Sequence, residues 1–184
     1  NPEAKDLFVS HAEALLRHFP DLAESDKIRL HLFNTYLQLA SFQTESQQDT
    51  LLNSAAEQLY AVLEKGTFSL KKENIEWLAE HYSILYKKNR ENPHLSEDFL
   101  SMYLTRAQTV FDSLLALEEN TLSSFGESTL LRYVDLLSSA SLTDKKIAVL
   151  SKVIPETSTD LTNTQKHLLL ELASSYESSG DFPK

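Results

Sequence analysis

The chain is expected to be all α, with about eight helices packed as antiparallel pairs. Three observations carry that expectation. The five prolines (Pro2, Pro20, Pro93, Pro155 and Pro183) and the three glycines (Gly66, Gly126 and Gly180) stand at the edges of periodic segments, never inside one. A helix interior disfavours proline by about 3 kcal/mol and glycine by about 1 kcal/mol relative to alanine, so this confinement marks out helices. Between these residues, apolar side chains recur at i, i+3, i+4 and i+7, the spacing of one helical face. No stretch alternates with the period of two that a half-buried strand needs.

Taken in order, a first helix over about 3–19 places Phe8, Ala12, Leu15, Leu16 and Phe19 on one face. A second, about 26–42, carries Leu30, Phe33, Leu37 and Ala40, with Ser25 as its expected N-cap. A third, about 47–65, carries Leu52, Ala55, Ala56, Leu59, Tyr60 and Leu63 and stops at Gly66. The fourth, about 70–89, has Ile75, Leu78, Ala79, Tyr82, Leu85 and Tyr86 as its stripe. The fifth, about 97–118, follows Ser96 with Glu97-Asp98 complementing the helix dipole, and presents Leu100, Tyr103, Leu104, Ala107, Val110, Phe111 and Leu114.

The remaining helices are shorter-paced. Ser124 with Glu127 fits a capping box opening a sixth helix, about 127–140, with Leu130, Tyr133, Val134 and Leu137. Thr143-Asp144 opens a seventh, about 144–154, with Ile147, Leu150 and Val153, and Pro155 stops it. Glu156-Thr157-Ser158-Thr159-Asp160 is a loop-like polar run. Thr162 with Gln165 is a second capping box, opening an eighth helix over about 163–179.

One sub-pattern recurs among these helices. It occurs as Ile75/Leu78/Ala79/Tyr82, Leu130/Tyr133/Val134/Leu137 and Leu169/Leu172/Ala173/Tyr176, and less well as Leu30/Phe33/Asn34/Leu37. After Tyr176, Gly180-Asp181-Phe182 gives a helix stop and the start of a new element. The run 166–184 resembles the first helix and turn of a tetratricopeptide repeat (TPR); the likeness is weaker over 128–155 and poor before that. The repeats are spaced more widely than the family's period of about 34 residues. The resemblance implies a right-handed TPR-like solenoid in which stacked helix pairs bury a continuous core. It also implies a single helical-repeat domain over 1–184, part of a longer repeat protein. A four-helix bundle with added helices fits the same amphipathic pattern and is the rival architecture.

Composition narrows the functional classes. Apolar residues make up 41% and charged residues 24%, as in ordinary globular chains. With 17 basic and 27 acidic residues the formal net charge is −10, spread over both halves. Such a chain repels phosphate backbones and gains little from anionic lipid, so no nucleic acid and no direct membrane insertion are expected. Cysteine is absent, which removes disulfides and thiolate chemistry. A soluble chain is expected, with a cytoplasmic location favoured over one reached behind a leader or anchor.

No phosphate-cradling glycine loop, nucleophile elbow or zinc-binding H-E-x-x-H helix can be assembled from these residues. No catalytic residue, cofactor or metal is expected. His11 and His18 are seven apart and could share a face, but a metal needs three or four converging ligands, so they read as boundary residues beside an apolar stripe. Trp77, His81 and Ile84 form a second stripe on the fourth helix. It is either buried, if that helix is central, or an exposed aromatic patch for binding. Lys71-Lys72, Lys87-Lys88-Arg90 and Lys145-Lys146 sit at helix ends, and Lys87 and Lys88 complement the carbonyl end of the fourth helix.

TPR proteins bind peptides or helices in a concave groove lined by the first helix of each pair. With helices four, six and eight in that role, the resemblance implies groove positions Glu76, Glu80, Ile84, Leu131, Asp135, Ser138, Leu170, Ser174 and Glu177. Trp77 or Ile84 would stand at the edge. The expected partner-binding residues are thus Glu76, Trp77, Glu80, Ile84, Asp135 and Glu177. The acidic character of this set favours a basic or amphipathic protein or peptide partner. The expected function is a non-enzymatic protein–protein interaction scaffold. An accessory domain of a larger enzyme or sensor is the alternative.

Overall fold

A computed structural model describes residues 2–66, 68–117, 126–154 and 162–180. Among the described residues there are eight helices and no strand: α1 (Pro2–His18), α2 (Ser25–Ala40), α3 (Glu45–Lys65), α4 (Lys72–Asn89), α5 (Glu97–Leu117), α6 (Glu127–Ser139), α7 (Thr143–Val153) and α8 (Asn163–Ser179). The protein is all α. None of these helices is long and apolar enough to cross a membrane. The chain divides into two compact units, Asn1–Asn74 and Ile75–Lys184.

In the first unit α2 and α3 lie closest of all the described helix pairs. Small side chains allow it: Ala40, Ala55 and Ala56 are buried where the two helices meet, beside Leu32, Phe33, Tyr36, Leu39, Leu59 and Val62. The short turn between them makes them antiparallel neighbours. Lys65, at the end of α3, reaches Ser25 Oγ at 3.0 Å and the Asp26 carboxylate at 3.6 Å at the start of α2. Arg29 donates to Gln58 Oε1 at 2.8 Å further along. Gly66 closes α3 at φ 65°, a left-handed position that suits glycine, and its N–H returns to the Leu63 carbonyl at 3.1 Å. Helix α1 joins α2 through Ala12 and Leu16, and the Tyr36 hydroxyl donates to the Glu13 carboxylate.

Three expectations fail in this unit. Ser25 is not an N-cap. It lies within the helix, buried, with Glu24 at the cap position and no side-chain cap bond. On α2, Leu30 and Leu37 are only half-buried, because the helix turns Leu32, Tyr36 and Leu39 toward its neighbours instead. Phe8 and Leu15 on α1 remain exposed, since α2 covers only the Ala12/Leu16 side, and Phe19 lies one residue past the end of the helix, exposed as well.

In the second unit the expected stripes of α4, α5 and α6 largely form the core. Ile75, Leu78, Ala79 and Tyr82, then Ala107, Val110, Phe111 and Leu114, then Leu130, Tyr133, Val134 and Leu137 are all buried. Phe111 stacks on Tyr133 with ring centroids 4.4 Å apart. The Tyr133 hydroxyl donates to Asp112 Oδ1 at 2.6 Å, and Lys145 donates to Asp112 Oδ2 and Gln108 Oε1, both at 2.8 Å. These bonds tie α5 to α6 and to α7.

Helices α4 and α6 lie side by side and parallel. Thr129 donates to Glu76, Arg132 to Glu80 and Arg90 to the Ser139 carbonyl, and Lys87 pairs with Asp135, so contacts advance in the same direction along both helices. Helices α6 and α8 start together, with the Thr162 hydroxyl donating to Glu127 Oε1 at 2.9 Å. The Thr162–Gln165 capping box is present in both directions. The other expected box is not formed: α6 is capped by Gly126, which makes Glu127 its first residue rather than its third. Ser124 lies outside the described residues, as do Pro155, the polar run 156–160 and Asp181-Phe182. Ile154 nevertheless ends α7 in the extended conformation that a residue before proline favours.

Helix α8 is rotated from its expected orientation. Leu168 and Ser175 are buried, Leu169, Leu172 and Tyr176 are half-buried, and Ala173 is exposed. The helix presents the 168/172/175 side to α6 and α7. Ala173 itself faces solvent, while Tyr176 on the same side reaches Ser151 Oγ of α7 at 3.1 Å.

Candidate functional site

The flank of α4 against α6 and the cleft between α6 and α8 hold three of the six expected partner-binding residues, Glu76, Glu80 and Asp135. Glu76 is half-buried and accepts from Thr129 Oγ1 at 3.2 Å. One turn on, Glu80 pairs with Arg132 at 2.6 Å. Asp135, one turn further along α6, pairs with Lys87. The local reason is the i, i+4 spacing of Glu76 and Glu80 beside the buried stripe, which turns both toward the neighbouring helix.

Beyond Asp135 a cleft of about 410 Å³ opens between α6 and α8. Leu131, Val134, Asp135, Ser138 and Arg132 line it from α6, and His167 and Glu171 from α8. Lys146 of α7 sits against Ser138 and Glu171, donating to Ser138 Oγ at 3.2 Å and Glu171 Oε2 at 3.1 Å. Its side chain is only 12% exposed. This pair is more sheltered than Lys87–Asp135, Arg132–Glu80 or Lys145–Asp112. Exposed pairs such as Glu80–Arg132 contribute about 0–1 kcal/mol each, so these contacts set register and charge distribution more than stability.

Trp77 is half-buried and stacks on His81 with centroids 5.1 Å apart and rings nearly parallel. Ile84 is 53% exposed. The aromatic stripe is therefore partly open to solvent rather than enclosed. Glu177 is exposed near the end of α8, outside the cleft lining. Leu131, Asp135 and Ser138 are brought together in the cleft as expected. On α8 the lining positions are His167 and Glu171, not Leu170, Ser174 and Glu177.

Sequence reasoning missed Arg132, His167, Glu171 and Lys146, and it gave Lys87 a dipole role alone. A signal for Lys146 was present. Lys145 and Lys146 fall in the first turn of α7, the end where the helix dipole disfavours cations, so both need carboxylate partners from elsewhere. The face is accordingly mixed in charge, because Glu80, Asp135 and Glu171 each meet a cation from a neighbouring helix.

Among the described residues, no three histidine or carboxylate side chains converge as metal ligands would. A second cavity of about 360 Å³, in the first unit, is lined by Gln43, Ser46, Gln47, Thr50 and Leu51 and carries no charged group. Two tyrosines are strongly perturbed. Burial, reinforced by the hydrogen bond to Asp112 and its charge, raises the Tyr133 phenol well above its ordinary range, and burial and Glu13 do the same to Tyr36. Both hydroxyls are held as donors and serve packing. Compared with protein-family models, curated proteins and solved structures, the chain matches none.

Proposed function

We propose that the protein is a non-enzymatic helical-repeat scaffold of the TPR kind, its helix pairs stacked as a right-handed solenoid. It would engage a protein segment on the face made by α4, α6 and α8. The observation that carries this reading is the parallel, side-by-side placement of α4 and α6, with α8 starting beside α6. Alternate helices in one row, joined through α5 and α7 behind them, are what stacked helix pairs produce. A recurring link supports it. Tyr36, Tyr133 and Tyr176 each hydrogen-bond the helix just before their own, to Glu13, Asp112 and Ser151.

A row of this kind presents side chains between the packed stripes along one open face. Here that set includes Glu76, bonded to Thr129, the ion-paired Glu80 and Asp135, and the exposed Ile84, with Trp77 at the edge and Glu177 further along α8. The partner fitted to it is a basic or amphipathic protein segment, because a chain of net charge −10 attracts such segments faster at low salt. The test is capture of binding proteins by the chain, repeated with Glu80→Lys and Asp135→Lys. Loss of the captured set on charge reversal is expected. Binding unchanged by both reversals would move the functional surface elsewhere.

A further inference from the structure

We infer that the cleft between α6 and α8 receives a basic side chain, arginine in preference to lysine, projecting from a partner segment; this rests on the reading of the α4/α6/α8 face as a binding surface. The two walls each supply a carboxylate, Asp135 from α6 and Glu171 from α8. Each is half used. Asp135 Oδ2 takes Lys87 and Glu171 Oε2 takes Lys146, while Oδ1 and Oε1 have no hydrogen-bond partner among the described residues. Neither lysine belongs to the cleft lining, so both approach their carboxylates from outside it. Arg132 does line the cleft, but its guanidinium is held by Glu80 on the α4 side.

The rest of the lining suits the stem of such a side chain. Val134 and Leu131 offer apolar surface against which methylenes pack while the charged head reaches the carboxylates. At about 410 Å³ the cleft takes one long side chain and still leaves space for water, each molecule needing about 30 Å³. A guanidinium offers five donors in a planar fork, which matches carboxylate geometry and spans more widely separated oxygens than a compact ammonium. A bare metal ion is a poorer fit, since no third carboxylate or imidazole converges among the described residues. An acidic ligand would meet Asp135, Glu171 and the overall negative charge together.

The experiment is selection of displayed random peptides of about ten residues on the immobilised chain, followed by fluorescence titration of the selected peptides. Selected sequences should carry an arginine beside apolar residues. Replacing that arginine by citrulline, neutral and of the same shape, should weaken binding about tenfold or more, about 1.4 kcal/mol. Asp135→Asn combined with Glu171→Gln should do the same. Because that double variant releases Lys146, a second variant, Ser138→Arg, keeps both ion pairs and places a competing basic side chain in the cleft; it should also block binding. Selected peptides without a basic residue, or binding indifferent to citrulline and to both sets of variants, would overturn the inference. Binding lost with Glu80→Lys but untouched by the cleft variants would leave the broader face standing and refute the cleft. No selection at all would sink both.

Discussion

The α1–α2 contact and the α5–α6 contact use one device in two settings. In each, a tyrosine near the middle of the later helix donates its hydroxyl to a carboxylate on the earlier one: Tyr36 to Glu13, and Tyr133 to Asp112. Around Tyr133 the device is completed on every side. Phe111 stacks on the ring, Lys145 holds the other Asp112 oxygen, and Leu130, Leu136 and Leu137 are fully buried nearby on the same helix. Around Tyr36 it is less complete: α3 packs against α2, while Phe8 and Leu15 on α1, and Phe19 just after it, stay exposed. The same local link thus holds different amounts of structure. What differs is the apolar surface that neighbouring helices bring to it.

The largest effect should come from cutting into the enclosed setting. Phe111→Ala removes a ring that is 1% exposed, and a loss of about 3–5 kcal/mol in urea unfolding is expected. The matching change in the open setting, Phe8→Ala, should stay within about 0.5 kcal/mol. Equal losses would show that α1 is as well covered as α5, and the contrast would fail.

Overpacking is the next test. Ala79 and Ala56 are both fully enclosed, one in each unit. Ala79→Leu and Ala56→Leu should each cost about 1–3 kcal/mol. If Ala79→Leu unfolds at the parent midpoint, overpacking is ruled out for α4.

A pH measurement sharpens the tyrosine comparison. Both phenols are raised in the folded state, chiefly by burial, so the unfolded chain releases these protons first as pH climbs past about 10. Their stabilising contribution is complete below about pH 10 and declines above it. Tyr36→Phe and Tyr133→Phe should each flatten the fall of stability measured between about pH 9 and pH 11, and by similar amounts, since both phenols stay protonated in the folded chain over that range. Alkaline unfolding profiles identical to the parent's would remove tyrosine ionisation as a cause.

The smallest expected effect concerns the ion pairs between α4 and α6. Arg132→Met and Lys87→Met should each change stability by about 0–1 kcal/mol, since Glu80 and Asp135 are substantially exposed. Thermal melts at low and high salt would check this. A loss well above that range would mean the pairs are shielded in solution.

Much of this was readable in advance and some was not, for reasons that particular residues make plain. On α6, every member of the expected stripe is buried, because its polar residues Arg132 and Asp135 leave a single direction for the apolar ones. On α8, leucines run consecutively from Leu168 to Leu170, so the apolar pattern is compatible with more than one rotation. Packing against α6 and α7 selected Leu168 and left Leu170 at 69% exposure. Of the candidate site, Asp135, Leu131 and Ser138 were legible as an outward strip of one helix. Glu171 and His167 were not, since their place in the cleft depends on how α8 is turned.

What the sequence determined by itself is the helical class and, within a few residues, where helices begin and end. Those properties are local: proline and glycine placement, the Thr162–Gln165 box and the left-handed Gly66 act across one turn of backbone. The tertiary structure alone decided which face of α2 and α8 is buried, which cation answers each carboxylate and that a cleft exists between α6 and α8. Lys146 meets Glu171 across 25 residues and Arg132 meets Glu80 across 52. Separations of that size carry no periodic signature, because they are set by the rotation and register of whole helices against one another, which many side chains decide together.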